Sequence, residues 1–125
     1  MINIDARSSK PIFEQVVDKI KESIMMGGLK PGEKMPSIRE LSKTLTINPN
    51  TVSKAYAELE RQKLIETISG KGTFVSQNYT PKVDEDRLQK LVAVLKDAVI
   101  EGHYLGIDKK RMAEIINGIY NEMER

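Results

Sequence analysis

A run of short polar side chains with one lysine lies near the middle of the chain. Its members are Asn48, Asn50, Thr51, Ser53 and Lys54. Amide and hydroxyl groups donate and accept hydrogen bonds at base edges, while hydroxyl and ammonium groups bind phosphate oxygens. The run has the side-chain chemistry that contact with a nucleic acid needs, but alone it is a weak signal.

Two positions upstream could extend this chemistry. Arg39 could reach a phosphate or a guanine edge, and Ser37 with its neighbouring backbone amides could bind phosphate. Each residue also has a purely structural explanation, because Ser37 and Asn48 suit helix caps and Lys54 suits a solvated surface charge. For any one residue taken alone the structural explanation is favoured, and it is the order of the surrounding elements that favours nucleic-acid contact.

Three helices are predicted to position these side chains. Residues 11–26 form the first, with Pro11 at the first helical position and apolar residues recurring every four. The second is about two turns long and begins at Ser37, which has capping-box spacing to Glu40. The third begins at Asn48 as N-cap and ends at about Gln62. A short helix, a brief turn and a longer helix have the spacing of a helix-turn-helix.

A β-hairpin is predicted to follow the third helix. Residues 64–68 and 73–76 are rich in strand-forming types, and residues 69–72 form a turn. The tip, with Gly70 and Lys71, is small and carries one cation, which suits a wing resting in or beside the minor groove. Ordinary turn and surface roles remain the alternative for these residues.

The tail carries two amphipathic helices, the second with Asp108 as N-cap, separated by a turn at residues 102–106. The small N-terminal part is already complete without the tail, so it cannot cover the apolar stripes of both helices. We therefore expect a second copy of the chain to cover them. The homodimer interface is predicted at Leu88, Leu91, Val92, Leu95, Ile115, Ile116, Ile119 and Tyr120. The alternative is that these helices pack on the chain's own first helix.

These elements predict a mainly α fold with a small β-hairpin in two parts. Residues 10–78 form a winged helix-turn-helix DNA-binding domain, and residues 82–125 form a helical dimerisation tail. The aperiodic segment 77–83, which contains Pro81, marks the boundary.

The composition argues against catalysis and metal binding. The 125 residues include no cysteine and one histidine, which excludes disulfides, thiolate nucleophiles and sulfur-liganded zinc. No nucleophile, base and orienting group form a recognisable motif, so we expect no enzyme and no cofactor. His103 is interpreted as a surface loop histidine. The acidic residues 84–86 are interpreted as a solvated helix start, with a metal site as the second choice.

Charge and hydropathy indicate the compartment and the part that binds. The longest apolar run, residues 91–95, is far shorter than the roughly 18 residues that span a bilayer. We therefore expect a cytoplasmic protein without a membrane partner. The net charge is only +2, but residues 1–80 hold 12 Lys and Arg against 9 Asp and Glu, whereas residues 81–125 hold 8 against 9. The basic excess lies in the predicted DNA-binding domain.

Several motifs in order resemble the winged helix-turn-helix domain of GntR-type bacterial transcription regulators. They lie at residues 11–15, 28–41, 48–56, 59–60 and 70–75, so the match spans about residues 10–76. The resemblance implies a dimeric repressor that binds inverted-repeat operators. It also implies that Arg39 contacts DNA from the second helix, that Asn48, Asn50, Thr51 and Ser53 contact bases or phosphates, and that Gly70 and Lys71 form the wing tip.

Two features set the chain apart within that family. Many relatives have glycine where this chain has Lys63, so Lys63 must adopt the turn itself or the helix must end differently. The tail of about 45 residues is too short for an enclosed effector pocket and is similar to the YtrA-type branch. Whether a small-molecule effector exists is left open.

The sequence therefore predicts a sequence-specific DNA-binding transcription regulator, a homodimeric repressor whose partner is a double-stranded operator. The alternative is a winged-helix protein-interaction module without specific DNA binding. Polar residues at Asn48, Asn50, Thr51 and Lys54 argue against that alternative, because a protein contact would favour apolar residues there.

Overall fold

The computed structural model describes residues 3–124. In chain order the elements are α1 (Ile12–Met25), α2 (Ile38–Leu45), α3 (Pro49–Arg61), β1 (Ile65–Ile68), β2 (Gly72–Val75), α4 (Glu85–Tyr104) and α5 (Lys109–Met123). The predicted fold class is confirmed: a mainly α chain with one small hairpin and two C-terminal helices. The chain divides into two compact units between Tyr79 and Thr80.

The first unit has a complete apolar core. Helix α3 packs against α1 and α2. Val16 and Ile20 of α1 and Val52 and Leu59 of α3 are almost wholly buried, and Val75 of β2 joins them. Burying each such side chain contributes about 1.5–3 kcal/mol, so the core fixes one face of α3 against the body.

The helix starts follow from local hydrogen bonds. In α2 the Ser37 hydroxyl accepts the Glu40 amide and the Glu40 carboxylate accepts the Ser37 amide, both at 3.0 Å, which confirms the capping box. In α3 the Asn48 side chain accepts the Asn50 amide at 2.8 Å, with Pro49 next in the chain. The prediction for Pro11 was one position off: it is the N-cap of α1, because its ψ of 145° is extended.

The segment before α2 is joined to the wing, defined here as β1, β2 and the turn between them. Lys34 forms an antiparallel bridge with Phe74. The Met35 amide donates to the Thr73 carbonyl at 2.7 Å, and the Val75 amide donates to the Glu33 carbonyl at 2.9 Å. The connector thus acts as a short third strand, which fixes the wing relative to the start of α2.

The second unit consists of α4 and α5. The predicted turn at residues 102–106 was wrong in its first half, because α4 continues to Tyr104 and places His103 in the last helical turn rather than in a loop. A Cβ on Gly102 would lie 2.5 Å from the Met112 Cε atom, so this helical glycine leaves room for the end of an α5 side chain. The chain turns instead at Gly106, which has φ 77°.

The end of α3 shows how the chain replaces a glycine. The helix ends at Arg61, and Lys63 adopts the left-handed conformation itself, with φ 64°. The Lys63 amide donates to the Glu60 carbonyl, and the Leu64 amide donates to the Leu59 carbonyl. A residue with a Cβ is strained in this conformation by about 1–2 kcal/mol.

Replacing Lys63 with Gly is expected to raise the free energy of unfolding by up to about 1 kcal/mol, because the relief of strain exceeds the extra chain entropy of glycine. Urea denaturation measures the change. Lys63→Ala is the matched control, since it removes the charged side chain but keeps the Cβ, and no gain is expected from it. An equal gain in both variants would show that the charge, and not the backbone conformation, limits stability.

Candidate nucleic-acid interface

The face of α3 opposite the core is polar and exposed. At 100° per residue, the buried residues Val52 and Leu59 define one side of the helix, and Asn50, Ser53 and Lys54 lie on the other. The structure thus brings three of the predicted contact residues onto one exposed face. Thr51 lies beside this face and is half-buried.

Asn48 is exposed but has a structural task. Its side-chain oxygen accepts the backbone amide of Asn50 at the start of α3. Only its NH2 group is left to donate to a ligand. The cap and contact explanations for Asn48 are therefore compatible, with a different atom serving each.

The start of α2 presents Arg39 to solvent. The capping box occupies the amides of Ser37 and Glu40, and the Ser37 backbone N–H holds the pKa of the exposed Glu40 carboxyl below its usual value. A phosphate at this helix start would therefore meet a carboxylate. The exposed Arg39 guanidinium is better placed to bind one than the Ser37 hydroxyl and its neighbouring amides are.

The wing tip is a tight turn that carries one cation. Gly70 has φ 77°, and the Lys71 amide donates to the Ile68 carbonyl at 2.9 Å. Both tip residues are exposed. A second cation, missed from sequence, lies nearby: a Cβ on Gly72 would lie 3.0 Å from the Lys34 Cε atom. Lys34 and the wing are far apart in sequence, so only the pairing of Lys34 with Phe74 shows that the Lys34 side chain lies near the wing turn.

Tyr56 connects α3 to the start of α2. Its hydroxyl donates to the Pro36 carbonyl at 2.7 Å. Burial, with a smaller contribution from the Glu40 carboxylate, raises the pKa of Tyr56 to about 12. The sequence placed Tyr56 in the buried stripe but did not reveal this hydrogen bond, which holds the Arg39 and Asn50 regions in one arrangement.

A second contact missed from sequence involves the first helix. The Lys54 ammonium nitrogen lies 3.9 Å from the centroid of the Phe13 ring. Lys54 is exposed and Phe13 is half-buried. A cation at this distance over an aromatic face is attracted by the ring quadrupole.

The tail presents apolar surface. In α4 every residue except Gly102 is exposed. Of the eight residues predicted for a dimer interface, seven are exposed large apolar side chains, and Ile115 is half-buried. Val99 and Val94 of α4 are exposed as well. A helix whose apolar stripe is about half exposed gains little stability from burial.

Within residues 3–124, no group of three His, Cys, Asp or Glu side chains is placed to hold a metal ion. In the same part of the chain, no helix combines the length and the apolar character needed to cross a membrane.

Sequence comparisons group the chain with bacterial regulators. The family model described as bacterial regulatory proteins, gntR family, matches residues 12–75. The HTH-type transcriptional repressor YtrA of Bacillus subtilis (strain 168) is 45% identical over 119 residues, which cover 95% of this chain and 92% of that protein.

Comparisons with solved structures also find proteins named for a role in transcription or for an operator complex. A crystal structure of a protein named as a transcriptional antiterminator, from Listeria monocytogenes EGD-e, has a TM-score of 0.82 at 41% identity and covers 98% of this chain and 92% of that one. The domain AraR(DBD), solved in complex with operator ORX1, has a TM-score of 0.55 at 29% identity. It covers 61% of this chain and 95% of that one.

Removing the Tyr56 hydroxyl is expected to weaken the link between α3 and α2. Tyr56→Phe should lower the free energy of unfolding at neutral pH by about 1 kcal/mol, because the Pro36 carbonyl loses its hydrogen bond.

The Tyr56 hydroxyl also makes the free energy of unfolding depend on pH in the alkaline range. The unfolded chain ionises at the ordinary tyrosine pKa of 10.0 and the folded chain at about 12, so the unfolded state binds fewer protons between these values and stability falls as pH rises.

Denaturation midpoints measured at several pH values from about 9 to 11.5 should therefore fall more steeply for wild type than for Tyr56→Phe. Tyr104→Phe is the matched control. The Tyr104 side chain is 81% exposed, so this substitution should leave the wild-type slope unchanged. Parallel slopes for wild type and Tyr56→Phe would contradict the burial of an un-ionised Tyr56.

Proposed function

Because the chain belongs to the GntR family of bacterial regulatory proteins, and is therefore a DNA-binding transcription regulator, we propose that it is a homodimeric repressor acting at an inverted-repeat operator. The observation that carries the proposal is the exposed polar face of α3, opposite a wholly buried apolar face. A helix fixed in this way can enter the major groove with its outward residues against base edges.

The proposed contacts divide by chemistry. Asn50 reads a base edge, since a side-chain amide pairs with adenine in the major groove, and Arg39 contacts a guanine edge or a phosphate. Thr51, Ser53, Lys54 and the Asn48 NH2 group contact bases or phosphates beside it. Ser37 is left with its hydroxyl hydrogen to donate to a phosphate that Arg39 holds, because the capping box occupies the Ser37 amide. Gly70 and Lys71 bring the wing tip to the minor groove. The DNA-binding domain is residues 10–78 in this proposal.

The tail, residues 82–125, is proposed to form the dimer. An α4 helix with only Gly102 buried needs a cover for its apolar stripe. A second copy supplies an identical stripe, and a twofold axis pairs the two surfaces reciprocally. The interface proposed is Leu88, Leu91, Val92, Leu95, Ile115, Ile116, Ile119 and Tyr120.

Dimerisation explains how the protein would repress. Two recognition helices related by a twofold axis read two half-sites about one helical turn apart, roughly 34 Å or a multiple of it. A dimer bound across a promoter excludes the transcription machinery from it. The protein acts where the bacterial chromosome lies, in the cytoplasm, and needs no bound cofactor for this role.

Loss of a base-reading side chain should affect the operator more than other DNA. Asn50→Ala is expected to weaken binding to an operator selected from a random duplex library by about 5- to 150-fold, and to change binding to random duplex little. Arg39→Ala should have the same selectivity if it reads a guanine. Fluorescence anisotropy at about 0.15 M salt measures both affinities.

Two control variants accompany this measurement. Asn117→Ala changes an exposed asparagine of α5 and should leave both affinities unchanged. Lys71→Ala should weaken binding to both duplexes alike and reduce the log–log salt slope by about 0.9, as expected for one lost phosphate contact.

Equal losses of affinity from Asn50→Ala on operator and random DNA would rule out base reading by Asn50. A random library that yields no enriched sequence would favour the protein-interaction module.

A charge placed in the tail stripe should separate the dimer. Leu95→Glu is expected to convert the dimer to monomers in sedimentation equilibrium and to weaken operator binding, because a carboxylate cannot be buried unpaired in an apolar interface. Val94→Glu is the matched control: it makes the same kind of change about 100° around α4, outside the proposed interface. A wild-type chain that is already monomeric would favour the alternative in which the tail packs on its own first helix.

A further inference from the structure

Phe13 is a half-buried aromatic residue of α1 that lies outside the core. Its neighbours along the helix, Val16, Val17 and Ile20, are buried in the core, and Ile12 packs against that core. Phe13 is half-buried but does not belong to this cluster. Its aromatic face is instead occupied by the Lys54 ammonium group, at 3.9 Å from the ring centroid.

Lys54 lies on the exposed face of the recognition helix, together with Asn50 and Ser53. Within residues 3–124, no carboxylate lies within ion-pair distance of its ammonium group. An acidic partner would neutralise the charge that a phosphate needs, whereas an aromatic ring restrains the ammonium group and leaves its charge in place. This distinction makes the ring suitable for holding a cation that must still bind an anion.

The restraint has a thermodynamic consequence. A free lysine side chain samples many rotamers, and it loses part of this conformational freedom when it binds a phosphate. A side chain already held near its bound position loses less, so binding is tighter for the same final contact. The backbone of Phe13 is itself held by the packing of α1 on α3, so the ring is a fixed support.

We infer that Phe13 is a positioning residue for DNA binding: its ring holds the Lys54 ammonium group beside the recognition face, ready to bind a DNA phosphate. The inference rests on the proposed function and adds to it a residue that touches no DNA. Phe13 acts through Lys54 alone, so its effect must vanish when the cation is removed.

A double-mutant cycle tests this dependence. Phe13→Leu keeps an apolar side chain but removes the aromatic face, and it should weaken binding to a random 30-base-pair duplex about two- to fivefold at about 0.05 M salt. Phe13→Tyr keeps the face and should restore wild-type affinity. Lys54→Met should weaken binding and lower the salt slope by about 0.9. In the Lys54→Met background, Phe13→Leu should have no further effect.

A readout independent of DNA accompanies the cycle. The ring current of Phe13 should shift the Lys54 side-chain methylene protons upfield in the NMR spectrum of wild type and Phe13→Tyr, and not in that of Phe13→Leu. Thermal unfolding of every variant shows whether the fold is intact at the temperature of the assay. A lost ring-current shift in Phe13→Leu together with unchanged affinity would overturn the inference.

Three other results separate the possible failures. If Phe13→Leu weakens binding equally with and without Lys54, Phe13 acts through the structure of α1, and the inference is overturned. If Phe13→Leu tightens binding, the ring keeps the Lys54 ammonium group away from DNA, and the inference is also overturned. If wild type binds neither the selected operator nor the random duplex, the proposed function fails, and the inference fails with it.

Discussion

The packing of α3 on α1 is the interaction on which the rest of the first unit depends. Val52 and Leu59 of α3 meet Val16 and Ile20 of α1 with almost no exposed surface. Losing one such side chain to alanine costs about 2–5 kcal/mol, a large share of a small domain's stability. Because an α-helix has fixed angular spacing, burying one face of α3 determines which residues remain outside. The polar surface formed by Asn50, Ser53 and Lys54 is thus a direct consequence of the core.

Hydrogen bonds and one ring contact then fix the neighbouring elements relative to α3. The Tyr56 hydroxyl reaches the Pro36 carbonyl at the start of α2. The connector that contains Lys34 pairs with β2, which fixes the wing to the same point. The Phe13 ring lies under the Lys54 ammonium group on the other side of α3. These contacts fix the wing, the start of α2 and the Lys54 side chain relative to α3, the helix that carries Asn50 and Ser53.

The tail follows a different physical rule. Among residues 3–79, eleven hydrophobic side chains are buried, whereas the only buried residue of α4 is Gly102 and α5 has none. Secondary structure in the second unit is supported by its caps, Asp84 and Asp108, each of which accepts backbone amides at a helix start. Capping cannot replace a core, because each cap contributes only about 1 kcal/mol. A second copy of the tail would provide the missing apolar cover, so the proposed dimer would complete the fold as well as space the two recognition helices.

Spacing along the chain predicts the features that depend on near neighbours. The capping box of Ser37 and Glu40, the Asn48 cap and the apolar stripe of α3 all join residues within a turn or two, so their spacing predicts them. The same holds for the hairpin, whose strands were predicted within one residue at each end. Tertiary structure alone decided the contacts between elements: Phe13 with Lys54, Tyr56 with Pro36, Lys34 with Phe74, and Met112 with Gly102, which sequence analysis had assigned to a turn. Residues far apart in the chain meet only when helices pack, and no local spacing specifies which side chains the packing brings together.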